Sequence, residues 1–205
     1  MFEDLRDAVL AHGGEFACRQ IHGGQGKKTV RFNHVVGARP VGFDLPDRPG
    51  LAGFYGTFGS LTLYLDEESG ESAFHLAEPA QWPALQADFL SWLDGMGEDE
   101  LEECMPSPLD GCIVVGEIPG SGNYLLVSTS GPDAGKVYEF EHDGFEFIER
   151  GRSLADFVQR ALTPGSRELT GMASHMRFIA KGNGSQWWIT EMRDNLGRVV
   201  ATDAG

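Results

Sequence analysis

An α+β fold, an antiparallel sheet with flanking helices, is what this sequence predicts, and three observations carry that expectation. From Cys112 onward, short period-two segments follow one another with turn residues between them, the pattern of strands that pair antiparallel. Ahead of them, Trp82, Leu85, Phe89, Trp92, Leu93 and Met96 recur at the 3.6 spacing of a helix with one apolar side. A length of 205 residues with 41% hydrophobic and 10% aromatic content is enough for one cored domain, or one domain with a modest extension.

The elements follow in chain order. Phe2, Leu5 and Val9 fall on one side of an amphipathic helix over the first eleven residues, ended by Gly13-Gly14. Ala17 to Gly42 reads as loop-rich with one strand at Thr29 to Val36, and Pro40, Pro46 and Pro49 punctuate a linker. Leu51 to Leu65 predicts a helical turn through Phe54-Tyr55 and then a strand with Leu61, Leu63 and Leu65 on one face. After Pro79 comes the apolar-striped helix, with Gln86, Asp88 and Asp94 off the stripe. Cys112 to Glu117, Asn123 to Thr129, Lys136 to Phe140 and Phe145 to Glu149 read as consecutive strands joined at Gly131-Pro132-Asp133 and His142-Asp143-Gly144. Ser153 caps a helix in which Leu154, Phe157, Val158 and Ala161 face the sheet, and Pro164-Gly165 stops it. The tail predicts strands at Met176 to Ala180, Gln186 to Met192 and Arg198 to Ala201, with turns at Gly182-Asn183-Gly184 and Asp194-Asn195.

Charge is distributed unevenly. Between Pro49 and Gly135 there is no Lys or Arg, while the same stretch holds fifteen acids. Outside it sixteen acids balance sixteen bases, so the middle of the chain carries the whole formal charge of −15. Nucleic acid is a poor partner for such a face, because phosphate binding needs Lys and Arg to displace counterions. A basic protein is a better one, and a solvated surface kept for solubility is the plain alternative. The candidate binding residues are Asp66, Glu67 and Glu68 together with Glu98, Asp99, Glu100, Glu102 and Glu103.

Motifs for catalysis or cofactor binding are incomplete. Gly23 to Thr29 lacks the spacing of a phosphate loop: Ile21 stands where its first Gly belongs, and Lys28 where Ser or Thr should follow the Lys. Ser121 has Pro119 two positions before it and Asn123 two after, so the glycines of a nucleophile elbow are missing. The six histidines show no metal-binding spacing, and Cys18, Cys104 and Cys112 form no CxxC pair. No cofactor, metal or disulfide is implied. No apolar run approaches the roughly 20 residues of a membrane helix, and the acidic, amphipathic N-terminus is unlike a signal peptide, so no membrane role and a cytoplasmic location are expected. In Trp187-Trp188, strand geometry sends the two indoles to opposite faces, one to the core and one to a cover or a partner.

The order from Cys112 to Leu162 resembles the C-terminal half of the SUKH superfamily, the Smi/Knr-type proteins. Matching features are the Gly-rich turn Gly116 to Gly122, the strand Gly122 to Val127, the hairpin Gly135 to Asp143 and the closing helix opened by Ser153-Leu154 with Asp156-Phe157. Phe54-Tyr55 with Phe58 to Leu61 is similar to an upstream element of that family. The similarity covers roughly residues 48 to 163 and rests on the order of several weak motifs. The helix Ala80 to Gly95 and the tail after Pro164 inherit no role from it. It implies a SUKH-like core over 48-163, with residues 1-47 an N-terminal helix and strand extension and 164-205 a C-terminal β extension packed into one body. For bacterial members it implies an immunity protein that neutralises a polymorphic toxin, often a nuclease, by binding it, and no catalytic residues are carried over. Two other readings stand beside it: a regulatory or scaffold protein of the same fold, and a small enzyme built from Ser121, Asn123, His142 and Asp143, polar residues of neighbouring hairpins.

Overall fold

The computed structural model of the chain describes residues 2–22, 24–39, 45, 50–94, 97, 111–178 and 185–203. Among these residues ten strands form one antiparallel sheet: β1 (Gly14–Gln20), β2 (Lys27–Val36), β3 (Leu61–Leu65), β4 (Phe74–Leu76), β5 (Cys112–Ile118), β6 (Asn123–Ser128), β7 (Val137–Glu141), β8 (Glu146–Gly151), β9 (Trp187–Asp194) and β10 (Val199–Thr202). Five α-helices among the described residues flank it: α1 (Phe2–Ala11), α2 (Leu51–Phe58), α3 (Trp82–Leu93), α4 (Leu154–Leu162) and α5 (Ser166–His175). The fold is therefore α+β with an antiparallel sheet and flanking helices. Strands β1 to β8 neighbour one another in chain order, and the C-terminal hairpin joins on the far side of β1, with Gly14 opposite Asp194 and Gln20 opposite Trp187. The first, middle and last thirds of the chain thus share one sheet. None of the described helices is long and apolar enough to cross a membrane.

Strand alternation divides the interior into two cores. Along β6, Leu125 and Val127 point into the larger one, built with Leu5 and Val9 of α1, Phe54 and Phe58 of α2, Phe157 and Val158 of α4 and Met172 of α5. The intervening Tyr124 and Leu126 point the other way, into a smaller core with Val114, Phe140 and the α3 residues Phe89 and Leu93. Among the described helices, α3 is the one that covers this face of β5 to β7. Burial from both sides explains why β6 is buried at every position, and why these strands read as nearly continuous apolar runs.

Several expectations need correction. Trp92 is 39% exposed, although the stripe included it. At 3.6 residues per turn it lies about 100° around the helix from Leu93, at the edge of the face that presses on the sheet. Leu85 is half-buried, and Met96 lies outside the described residues. Ala17 to Gln20, read as loop, belong to the strand Gly14–Gln20; Ser166–His175, given no element, is a helix whose Leu169, Met172 and Ala173 are buried. Residues 176–178 are not strand: Phe178 is buried at φ 45°, and its N–H bonds Glu71 Oε2 at 2.7 Å. The Gly182 to Gly184 turn and most of the 40–49 linker lie outside the described residues. In β3, Leu61 and Leu63 are buried, but Tyr64 is buried too and Leu65 only half so.

Tyr64 breaks the alternation because its backbone is left-handed, at φ 59°, where the β2–β3 register shifts. Its N–H leaves the ladder and donates to Nδ1 of His34 at 3.0 Å. That fixes the His34 tautomer, so Nε2–H is the donor to His12 Nδ1, 2.7 Å away. Burial holds both rings below the ordinary imidazole range, His34 down to about 3, with the neighbouring His12 as a second cause. The pair is a neutral, directed hydrogen-bond chain joining α1, β2 and β3.

Candidate functional site

A cleft of about 770 Å³ opens between the β6–β8 end of the sheet and α5. Its sheet wall is built on Asn123, the first residue of β6. The Nδ2 amide of Asn123 donates to Glu139 Oε1 at 2.7 Å, which turns Oδ1 toward the β7–β8 turn. There Oδ1 accepts from the His142 backbone N–H at 3.2 Å and meets the ring Nδ1 at 2.9 Å. The ring's Nε2 faces Asp143 Oδ1 at 3.0 Å, so both nitrogens are turned to acceptors. At the other end, the second carboxylate oxygen of Glu139 takes Nε and Nη2 of Arg150, each at 2.6 Å. Strand pairing places this side chain: Glu139 alternates with Tyr138 and Phe140, which face α3, and so is directed to the opposite, cleft-facing side. A buried carboxylate is tolerable only when paired and hydrogen-bonded, and Glu139, 3% exposed, has both.

The structure brings together Ser121, Asn123, His142 and Asp143, the polar set from neighbouring hairpins. Its hydrogen bonding is that of closed turns. Ser121 Oγ donates to the Ile118 carbonyl at 2.7 Å and accepts the Asn123 N–H at 3.0 Å, while His142 is engaged by Asn123 and Asp143. The nucleophile–base bond that acyl transfer needs is not formed. Glu141, His142 and Asp143 place potential metal-ligand atoms within 4.8 Å of one another. The Glu141 carboxylate, however, accepts the Asp143 and Gly144 N–H groups at 3.2 and 2.7 Å, so the cluster is accounted for as a capped turn.

The facing wall comes from the helix that the sequence did not announce. Arg167, Glu168, Gly171, Met172, Ser174 and His175 of α5 line the cleft, as does Arg177, two residues past the end of the helix. Glu168 caps its own helix, accepting the Gly165 N–H at 3.0 Å. Burial pushes His175 down to about 4, so it is a neutral ring. The guanidinium of Arg177 lies over the Trp188 ring, 5.6 Å from its centroid, and Trp188 Nε1 donates to Asp203 Oδ2 at 2.8 Å. Trp187 is also half-buried and packs against the larger core, with the Lys28 ammonium 6.0 Å from its ring. Neither indole projects as an open anchor.

The predicted acidic residues are only partly where a docking surface would need them. Asp66 is buried: its carboxylate accepts the Glu68 and Ser69 N–H groups and the Ser69 hydroxyl, at 3.1, 3.3 and 2.7 Å. A turn-forming Asp is satisfied by its own loop, and it leaves the candidate surface. Glu67 and Glu68 are exposed, with Glu67 receiving Asn33 Nδ2 at 2.7 Å. Glu98, Asp99, Glu100, Glu102 and Glu103 lie outside the described residues. Two acids absent from the predicted set matter more, Asp88 and Asp94 on the solvent side of α3. Asp88 lies one turn before the exposed Trp92, and Asp94 is the residue that follows α3. Trp92 stacks on His142 with centroids 4.8 Å apart, joining the α3 flank to the cleft mouth. Among the described residues, Glu68, Glu78, Asp88 and Asp94 make no ion pair with Lys or Arg, whereas Glu15, Glu139, Asp156, Glu191 and Asp194, outside the cation-free window, all do. Cys18 is a buried free thiol pushed up to about 12 by burial, Cys112 is buried, and Cys104 lies outside the described residues.

No family model, no curated protein and no solved structure matches this chain.

Proposed function

We propose that this chain is a non-enzymatic binding protein that docks a basic protein on the solvent side of α3. The observation that carries the reading is the combination along that helix: exposed Asp88, and Asp94 just past its end, with no Lys or Arg partner among the described residues, and Trp92, 39% exposed, one turn from Asp88. Unneutralised carboxylates raise the local negative potential and steer a cationic partner, while an exposed indole supplies apolar contact area. The helix leads in sequence toward Glu98, Asp99, Glu100, Glu102 and Glu103, which extends the acidic run. The resemblance to SUKH proteins adds the biological role: an immunity protein whose partner is a toxin. A nuclease toxin must present Lys and Arg to phosphates, and an acidic inhibitor competes for that face.

Capture from the native host tests this, with the wild type and a Trp92→Ala, Asp88→Asn, Asp94→Asn variant as baits. The wild type should retain a Lys/Arg-rich protein that is released as salt rises, and the variant should retain little of it. Capture of an acidic partner, or equal retention by both baits, would remove α3 from the mechanism.

A further inference from the structure

The charged groups lining the cleft differ in how much of their hydrogen-bonding capacity is already used. Each carboxylate is engaged: Glu139 by Arg150 and Asn123, Glu149 by Lys136 at 3.0 Å, Asp143 by His142, Glu141 by two turn N–H groups and Glu168 by the Gly165 N–H. Arg167 and Arg177, by contrast, meet no carboxylate among the described residues. Arg177 is half-buried, and among the described residues its guanidinium makes one hydrogen bond, a long one from Nη1 to the Ala173 carbonyl, at 3.4 Å. A guanidinium carries five N–H donors, so most of those on Arg177 meet no protein acceptor among the described residues. The contact with the Trp188 ring holds its position, as the Glu139 pair holds Arg150 on the opposite wall. Two oriented guanidinium groups and one exposed Arg around a cleft of 770 Å³, within the roughly 300–1,000 Å³ of small-molecule sites, call for a ligand that brings acceptors.

We propose that the cleft binds an oxyanion, the carboxylate or phosphate of a small ligand, on Arg177 with Arg167. The planar donor fork of Arg matches either group in a two-point contact. With a formal charge of −15 on the whole chain, the long-range field repels anions. Binding must therefore come from donors held in place rather than from bulk attraction, which makes it sensitive to donor geometry. Arg167 and Arg177 lie on the α5 side of the cleft, whose mouth touches the α3 face through His142 and Trp92, and neither reading rests on the other.

The test uses the full chain titrated with inorganic phosphate and, separately, with citrate, at ionic strength held constant with chloride. The Trp188 indole resonance is the reporter, since Arg177 lies over that ring. A saturable shift is expected with at least one anion, and the stronger of the two identifies phosphate or carboxylate as the ligand's group. Arg177→Lys keeps the charge but loses the fork and should weaken binding by about tenfold. Arg167→Gln, at an exposed helix position where folding is not at stake, should weaken it several-fold. Arg198→Gln, whose guanidinium pairs with Asp194 in the β9–β10 hairpin, should leave it unchanged. A non-saturating response to both anions, or the same loss in Arg198→Gln as in Arg167→Gln, would overturn the proposal.

Discussion

His34 shows how one backbone irregularity sets the chemistry of a side chain. The left-handed Tyr64 sends its N–H to the ring, and the ring can accept it only while neutral. In the unfolded chain a histidine titrates near 6.5, but in the fold burial holds His34 at about 3 and His175 at about 4. The unfolded chain therefore binds more protons as pH falls below 6.5. Stability from the neutral rings is complete above that value and is lost progressively toward pH 3. For His34 alone the loss between pH 7 and pH 5 is on the order of 2 kcal/mol. The urea midpoint should fall across that range, and His34→Asn should flatten the slope; a midpoint independent of pH would contradict the buried neutral pair. Little of this was readable from sequence, because His34 and Tyr64 are thirty residues apart and meet only through the β2–β3 register. Glu139 was equally hidden. In VYEFE its position reads as the outward side of a half-buried strand, but that side forms a wall of the cleft faced by α5, and Glu139 is buried there.

Among the elements, those with strong local signals are the ones the sequence announces. Ser153 is one: its Oγ accepts the Asp156 N–H at 3.1 Å, and Asp156 in turn takes the Arg152 N–H at 2.8 Å. Ser153→Ala should cost about 1 kcal/mol. Gly59, which ends α2 at φ 62°, bears a heavier constraint, since a Cβ there would overlap the Ala38 carbonyl oxygen. Gly59→Ala should destabilise the fold by more than Ser153→Ala does, and denaturant titration of the two variants side by side measures the order. The reverse order would mean that the α2–β3 turn adjusts freely. Strand β1 escaped detection because Phe16 and Cys18 are its only strongly apolar residues, set among Glu15, Arg19 and Gln20 and preceded by two glycines. It is a strand because β2 and β9 supply hydrogen bonds on both sides, which no local pattern reveals. Helix α5 was hidden for a related reason: Thr170 and Gly171 interrupt a sequence whose buried residues are only Leu169, Met172 and Ala173. Its absence from the expected elements removed Arg167, His175 and Arg177 from view, and with them half of the cleft. The other half was readable, because hairpin turns at fixed spacing brought Ser121, Asn123, His142 and Asp143 to one end of the sheet.

At the scale of the molecule, charge segregation in the sequence becomes segregation between pairing environments. On β1 and β9, Arg193 lies between Glu15 and Glu191, and Arg198 closes on Asp194, so acids and bases there neutralise each other locally. The solvent side of α3 has no such cations in the window from Pro49 to Gly135, and it exposes Trp92. The central claim is that this side, rather than the paired-charge strands or the cleft, receives a basic protein. Amide hydrogen exchange of the chain, alone and bound to the partner captured from its host, locates the contact directly. Protection gained in residues 82–94 with β1, β2 and β9 unchanged is the predicted result; protection confined to those strands or to α5, with α3 unaffected, would contradict it.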